Sequence, residues 1–299
     1  MNNKTTSILI ILIIYALTIF IGFTFYQLVD FQNVILKLLL TNLVMTFIIW
    51  LISLFLRNAS LYDPYWSVIP PVLLMFVLID QNLELNFSIY LLMFSISFWS
   101  IRLTHNWALN WQGFDHIDWR YLKIRDKAPK LYFLTNLLAI QLFPTMIVFI
   151  QLIAAVHFIN LKPNFNFIIL IGSIIIIISA IIQFISDSQM RSFKKRIQDK
   201  NLCIEEGLWK YSRHPNYFGE VMVWWGLYIT YIGAIQKIDY LIISPILMTS
   251  LFLFVSIPWM EKKIISTRPM YLDYQKRVSM LVPFFRKDNS KNSQVSEKP

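Results

Sequence analysis

Apolar residues fill eight stretches of this chain, and polar residues gather between them. The stretches lie near 7–29, 34–56, 66–79, 87–104, 133–158, 166–186, 218–235 and 239–258. At about 20 residues per crossing, an α-helix of this length spans the hydrocarbon core of a bilayer. The pattern predicts an all-α, polytopic transmembrane helix bundle of about eight spans, or seven to eight by the usual length criterion. The third stretch is short and begins near Pro70-Pro71, so a broken or tilted helix is expected there. The first, Ser7 to Leu28, is too long for a signal-peptide core and lacks a small-residue cleavage site, so it reads as a first transmembrane helix. Residues 1–285 read as a single membrane-embedded domain. The tail RKDNSKNSQVSEKP, residues 286–299, is polar without apolar period and is expected to be disordered.

Composition agrees. Of 299 residues, 57% are hydrophobic and 15% charged, with a mean hydropathy of +0.55; a soluble domain carries about 25% charged residues. Seven glycines leave no glycine-rich phosphate loop and no GxGxxG string, which excludes a soluble dinucleotide domain. The single cysteine, Cys203, excludes an internal disulfide and a cysteine-based metal cluster. The four histidines, His105, His116, His157 and His214, form no HExxH or HxxxH pair, so no metal is expected.

Net charge is +10, and its distribution says more than its sum. With eight crossings, 23 of the 27 Lys and Arg fall on one side, in the N-terminus, the 57–65, 105–132 and 187–217 loops and the segment after 258. The opposite side holds Lys162, Lys237 and, at a helix edge, Lys37. The positive-inside rule then places both termini and the large loops in the cytoplasm. The expected membrane is the endoplasmic reticulum in a eukaryote or the inner membrane in a bacterium. The charge has two readings: it sets topology and meets anionic lipid heads, or it also receives a phosphate-bearing ligand. No nucleic-acid partner is expected.

Ionisable groups break the apolar pattern at five places, all at the positively charged ends of spans. They are LYDPYWSVIP with Tyr62, Asp63 and Tyr65; FWSIRLTHNWALNW with Trp99, Arg102 and Asn106; QFISDSQMRSFKKR with Asp187, Arg191 and Lys194; RHPNYFGE with Arg213, His214, Asn216, Tyr217 and Glu220; and the final segment with Glu261, Asp273 and Tyr274. Charge is costly at a membrane boundary, so such a cluster is a functional-site hypothesis by default. Asp187, Arg191 and Lys194 have helical spacings of four, three and seven, so one face of a helical extension would carry all three. That face is either a surface ion-pair array or a site whose acid takes ribose hydroxyls and whose bases take phosphates. His214 precedes Pro215, which favours an extended backbone and a hydrogen-bonding or loop-organising role over that of a general base.

Across GLWKYSRHPNYFGEVMVWWGLY, DPYW, FWSIRLTHNW with the later DWRY, SDSQMRSFKK and LDYQKRVSMLVPFF, the chain resembles the steroid 5-alpha-reductase superfamily. The resemblance spans roughly Asp63 to Phe285. It implies a membrane reductase in which NADPH enters from the cytoplasm, lies in the C-terminal half (about 130–285) and reduces an activated C=C bond of a lipid or sterol-like substrate. Carried over by position, Asp187, Asn216 and Glu220 hold the nicotinamide-ribose half. Arg191, Lys194 and Arg213 lie near the phosphates; His214, Tyr217, Asp273 and Tyr274 complete the pocket. Asp63 takes the place of a glutamate that hydrogen-bonds the substrate carbonyl, beside Trp99, Arg102 and Asn106. The chain departs from the family pattern at Tyr62, where those enzymes carry Gln, and at Trp99, where they carry a tyrosine. Tyr62 or Tyr65 is left to supply the missing hydroxyl.

Two other functions compete. Isoprenylcysteine and phospholipid methyltransferases share an RHPxYxG element and use S-adenosylmethionine, but of their C-terminal acidic pair only Glu261 is present, followed by Lys262. A non-catalytic lipid-binding relative would also tolerate Tyr62 and Trp99. Retention of Asp63, Asp187, Asn216 and Glu220 together argues against it, because intramembrane acids are expensive to keep without use.

Overall fold

The computed structural model describes residues 4–81, 85–197, 199 and 201–286. Among them there is no strand, only an isolated bridge between Ser212 and Ser279. The predicted disordered tail lies outside the described residues beyond Arg286. The helices are α1 (Lys4–Leu28), α2 (Val34–Phe55), α3 (Tyr65–Asp80), α4 (Phe87–Asn110), α5 (Trp119–Lys127), α6 (Tyr132–Thr135), α7 (Phe143–Leu161), α8 (Phe167–Arg196), α9 (Pro215–Ile235), α10 (Ile243–Leu251), α11 (Ile257–Thr267) and α12 (Tyr271–Arg277). A π turn at Asn136–Leu142 joins α6 to α7, and a second at Phe252–Ser256 joins α10 to α11. Among the described residues, eight helical segments are long and apolar enough to cross a membrane, as the hydropathy pattern predicts.

Two local expectations change. The third span is not broken at its prolines, and its 16-residue α-helix is lengthened by a preceding turn. It runs from Ala59 to Asp80, because a 3-10 turn at Ala59–Tyr62, capped by the Asn58 side chain accepting from the Ser60 N–H at 2.8 Å, leads directly into α3. The helix continues through Pro70 and Pro71. Those prolines remove two backbone donors, which a membrane helix tolerates where neighbours re-satisfy the freed groups. The 105–132 loop is not all loop either. It contains α5, started by Asp118, whose carboxylate accepts from the Arg120 N–H at 2.8 Å.

The sequence predicts one domain over 1–285; by packing the described chain clusters into two compact units. One comprises the residues up to Ile177 with Gly226–Ser244; the other comprises Ile178–Trp225 with the residues from Pro245. In the first unit, Tyr15, Met45, Ile49, Leu74, Val77, Ile96, Trp99 and Phe158 are buried among α1, α2, α3, α4 and α7, while Leu9, Phe20, Phe94 and Ile101 face outward. Lipid tails are as apolar as leucine, so burial gives little driving force and interhelical polar contacts specify the packing. Tyr15 donates to the Leu61 carbonyl at 2.9 Å, and the Ser67 and Thr104 hydroxyls meet at 2.9 Å between α3 and α4. Lys37 pairs with Asp80 at 3.2 Å beneath the Tyr26 ring.

In the second unit, Val221, Ile257 and Leu281 form one buried cluster and Tyr271, Tyr274 and Val278 another. The segment after α12 lies along the loop before α9: the Arg213 N–H donates to Ser279 at 2.8 Å, Ser212 Oγ to the Leu281 carbonyl at 2.7 Å, and the Phe284 N–H to Tyr211 at 3.0 Å.

Candidate functional site

Within the second unit, α8 and the start of α9 run antiparallel and meet through two polar rungs. Gln183 Nε2 donates to Glu220 Oε2 at 3.2 Å. One turn along each helix, Asn216 Nδ2 donates to Asp187 Oδ1 at 3.1 Å. Residues four apart share a helix face, so the spacing of Gln183 to Asp187 and of Asn216 to Glu220 matches rung to rung. Glu220 is 4% exposed and its other oxygen accepts from Trp224 Nε1 at 3.1 Å. Gly219 permits this approach: a Cβ there would stand 2.5 Å from Gln183 Cγ and 2.7 Å from the Ser179 carbonyl. Beyond the rungs, α8 carries Arg191, which donates to Ser188 Oγ at 2.9 Å, and exposed Lys194. The three-residue face expected over Asp187, Arg191 and Lys194 therefore exists on a continuous helix.

Other residues expected at a cofactor build the frame. Arg213 donates through Nε to Glu261 Oε1 at 2.7 Å and through one Nη to the carbonyls of Gln275 (3.0 Å) and Val278 (2.6 Å). His214 Nε2 lies 3.1 Å from the same Glu261 oxygen, and its ring stacks on Tyr217 with centroids 5.3 Å apart. Burial pushes the His214 imidazole below its ordinary value, against the opposing pull of Glu261. Tyr274 is buried and donates to the Trp209 carbonyl at 2.5 Å. Burial holds its phenol well above the ordinary range, which keeps it a donor. Asp273 sits at the surface paired with Lys276 at 3.1 Å. Glu261, named in the sequence among the ionisable groups of the final segment and as half of a methyltransferase-type acidic pair, is the centre of this frame: Tyr271 Oη (3.0 Å) and Gln275 Nε2 (2.7 Å) also donate to it.

The first unit holds the residues expected at a substrate. Asp63 follows the capped turn at the start of α3, and its Oδ1 accepts from Tyr121 Oη of α5 at 2.5 Å. Burial and the Asp63 charge together push the Tyr121 phenol well above its ordinary value, so it stays protonated. Tyr62 and Tyr65 point their hydroxyls elsewhere. Tyr62 Oη meets Thr145 Oγ1 at 2.8 Å, Thr145 meets Thr46 at 3.2 Å, and Thr46 donates to Tyr65 Oη, which donates to Asn42 Oδ1 at 2.9 Å. Both rings are nearly fully buried and stack on one another at 5.1 Å. Trp99 and Arg102 are buried on α4, and Asn106, half-buried, follows one turn later. The hydroxyl that reaches Asp63 is thus Tyr121, inside the DWRY string but without an assigned role in the sequence reading.

Against known proteins, a family model described as a protein of unknown function (DUF1295) matches residues 49–278. The chain belongs to the DUF1295 family. The DUF1295 region takes in both constellations, from Asp63 to Tyr274. The chain is also similar to an uncharacterized protein of Schizosaccharomyces pombe, 22% identical over 276 residues, which cover 82% of this chain and 78% of that one. No solved structure matches at a significant level.

Proposed function

We propose that this DUF1295 protein is a membrane-embedded reductase of the steroid 5-alpha-reductase superfamily that uses NADPH to reduce an activated C=C bond of a lipid, such as a sterol, polyprenoid or enoyl lipid. The observation that carries the reading is the pair of rungs joining Asp187 to Asn216 and Glu220 to Gln183, one turn from Arg191. The donor and acceptor set suits a dinucleotide. Carboxylates accept from ribose hydroxyls and carboxamides, and Arg191 and Lys194 provide charge-assisted partners for phosphates. When bound, NADPH supplies the hydride. The protein's part would be binding and orientation. In the second unit Glu220 and Asp187 would hold the sugar and amide end, with the frame around Glu261 fixing the loop that carries Asn216 and Tyr217; in the first unit Asp63 would hold a substrate oxygen. By the positive-inside rule the loops bearing these residues would face the cytoplasm, where a soluble dinucleotide is available.

The test is thermal stabilisation of the purified protein by NADPH, NADH and S-adenosylmethionine, since a ligand that binds only the folded state raises its melting temperature. NADPH is expected to stabilise and S-adenosylmethionine to have no effect; the reverse order would falsify the reductase reading in favour of a methyltransferase. Asp63→Asn is expected to keep NADPH stabilisation and to abolish turnover of a lipid substrate. Full activity in that variant would remove Asp63 from the site.

A further inference from the structure

Helix α5 presents two unlike sides. Its inner attachments converge on one turn. Tyr121 Oη reaches Asp63 Oδ1, the Asp118 N–H donates to Ser60 Oγ at 2.9 Å, and Asn58 Nδ2 holds the carbonyls of Phe114 and His116 just ahead of the helix at 2.7 and 3.0 Å. Tyr121, Ile124 and Ala128, spaced three and four apart, are half-buried. The other side is cationic. Lys123, Lys127 and, in the next turn, Lys130 are all exposed, with the exposed acid Asp126 among them. Lys123 lies 5.1 Å over the Trp119 ring. The cations end where a lipid-facing surface begins: Leu131, Phe133 and Leu134, 54, 53 and 39% exposed, open the fifth membrane-crossing segment. A step from exposed cations to exposed apolar side chains at the start of a span matches the level of phospholipid headgroups, and a basic row there suits an anionic leaflet.

We propose that α5 is seated on anionic phospholipid headgroups through Lys123, Lys127 and Lys130, and that this seat holds Tyr121 against Asp63. No residue inside α5 is buried, so its hold on the unit rests on a few polar bonds, and a lipid seat adds a comparable amount. A juxtamembrane cation near an anionic surface shifts such an equilibrium on the order of fivefold, so three together shift it about 100-fold at low salt. Without the seat, α5 lifts, the Tyr121 bond opens and the turn from Asn58 to Asp63 loosens. The composition of the leaflet thereby sets the state of a residue we place at the substrate. The seat and its link to Asp63 stand whatever the reaction; only the consequence for substrate rests on the proposed function.

The test is amide hydrogen exchange on the full chain in nanodiscs of phosphatidylcholine alone or with about a third phosphatidylglycerol, a strongly anionic surface. Amides of 119–127 are expected to exchange about 100-fold more slowly with phosphatidylglycerol. The difference should vanish in the Lys123→Gln/Lys127→Gln/Lys130→Gln variant and shrink in high salt for the native protein, a control that requires no variant to fold. Equal exchange in the two discs, or an undiminished difference in the triple variant, overturns the lipid seat. The coupling to Asp63 is read at 58–63. Phosphatidylglycerol should protect that turn in the native protein and lose this effect in Tyr121→Phe; equal protection in both overturns the link through the hydroxyl.

Discussion

Replacing Glu261 by Gln is the most searching perturbation of the second unit. The side chain is 11% exposed and accepts from Arg213, His214, Tyr271 and Gln275. Glutamine keeps one acceptor and turns the other oxygen into a donor that faces donors. It also removes the negative charge beside Arg213, itself 11% exposed, leaving the guanidinium only neutral acceptors: the glutamine oxygen and the Gln275 and Val278 carbonyls. Removing one partner of a buried pair costs about 3–5 kcal/mol; with two carbonyl bonds remaining, the lower end of about 3 kcal/mol applies. The change falls on the loop before α9 and the segment after α12, because Glu261 joins them. Exchange of amides in 211–217 and 271–282 is therefore expected to accelerate over 100-fold, with a lowered melting temperature and weaker NADPH stabilisation. Arg213→Met should cost a similar amount, and the double variant no more than about 1 kcal/mol beyond the worse single one, because contacting partners are not additive. Native exchange rates in Glu261→Gln, or fully additive costs, would refute the account of Glu261 as the common anchor.

Glu220→Gln and Asp187→Asn should each leave the chain folded and weaken NADPH stabilisation, by about 30-fold in apparent affinity if one charge-assisted bond is lost; unchanged ligand-dependent melting in both removes the rungs from the cofactor site. Gly219→Ala should lower the melting temperature, equivalent to about 1–3 kcal/mol of overpacking, because its Cβ would intrude on Gln183 and the Ser179 carbonyl; a variant as stable as the native protein contradicts the close helix approach. Since burial lowers the His214 pKa on folding, the unfolded chain takes up a proton first as pH falls. Stability from this group is then complete above about pH 6.5 and declines as pH drops below it toward the lower folded value. Melting curves from pH 8 to 5 should show that decline, less steeply in His214→Gln, and identical curves would discard it.

The membrane helices were legible because their cause is compositional: a run of about 20 apolar residues has one stable solution in lipid. The rungs were partly legible, since Asp187 and Glu220 are acids at apolar helix ends and four-residue spacing fixes their faces. What the spacing does not reveal is partner choice. Arg213, Tyr274 and Asn216 read alike in the sequence; in the structure Asn216 bonds Asp187, whereas Arg213 and Tyr274 bond carbonyls of residues about 60 positions away in sequence. Tyr121 was hidden for the same reason: its role depends on α5 folding back on the turn before α3, and a short amphipathic helix in a basic loop has no apolar run to announce it. The third span differs from the sequence pattern because Pro70-Pro71 reads as a break in water, whereas lipid leaves the backbone no better alternative than to continue as a helix.

The two rungs between α8 and α9 also act as a register code. At the first rung α8 contributes the amide and α9 the acid; at the second the roles are exchanged. Slide one helix past the other by a single turn, about 5.4 Å, and one of two mismatches results. Either Asp187 meets Glu220, setting two carboxylates against each other in lipid, or Gln183 meets Asn216, leaving both acids without amides. Apolar faces rich in isoleucine would accept either slip with little penalty. Four polar side chains therefore serve as a proofreading lock during assembly, and an exchange such as Asp187→Asn with Asn216→Asp would preserve the lock's count of partners while erasing its ability to tell the right alignment from the wrong one.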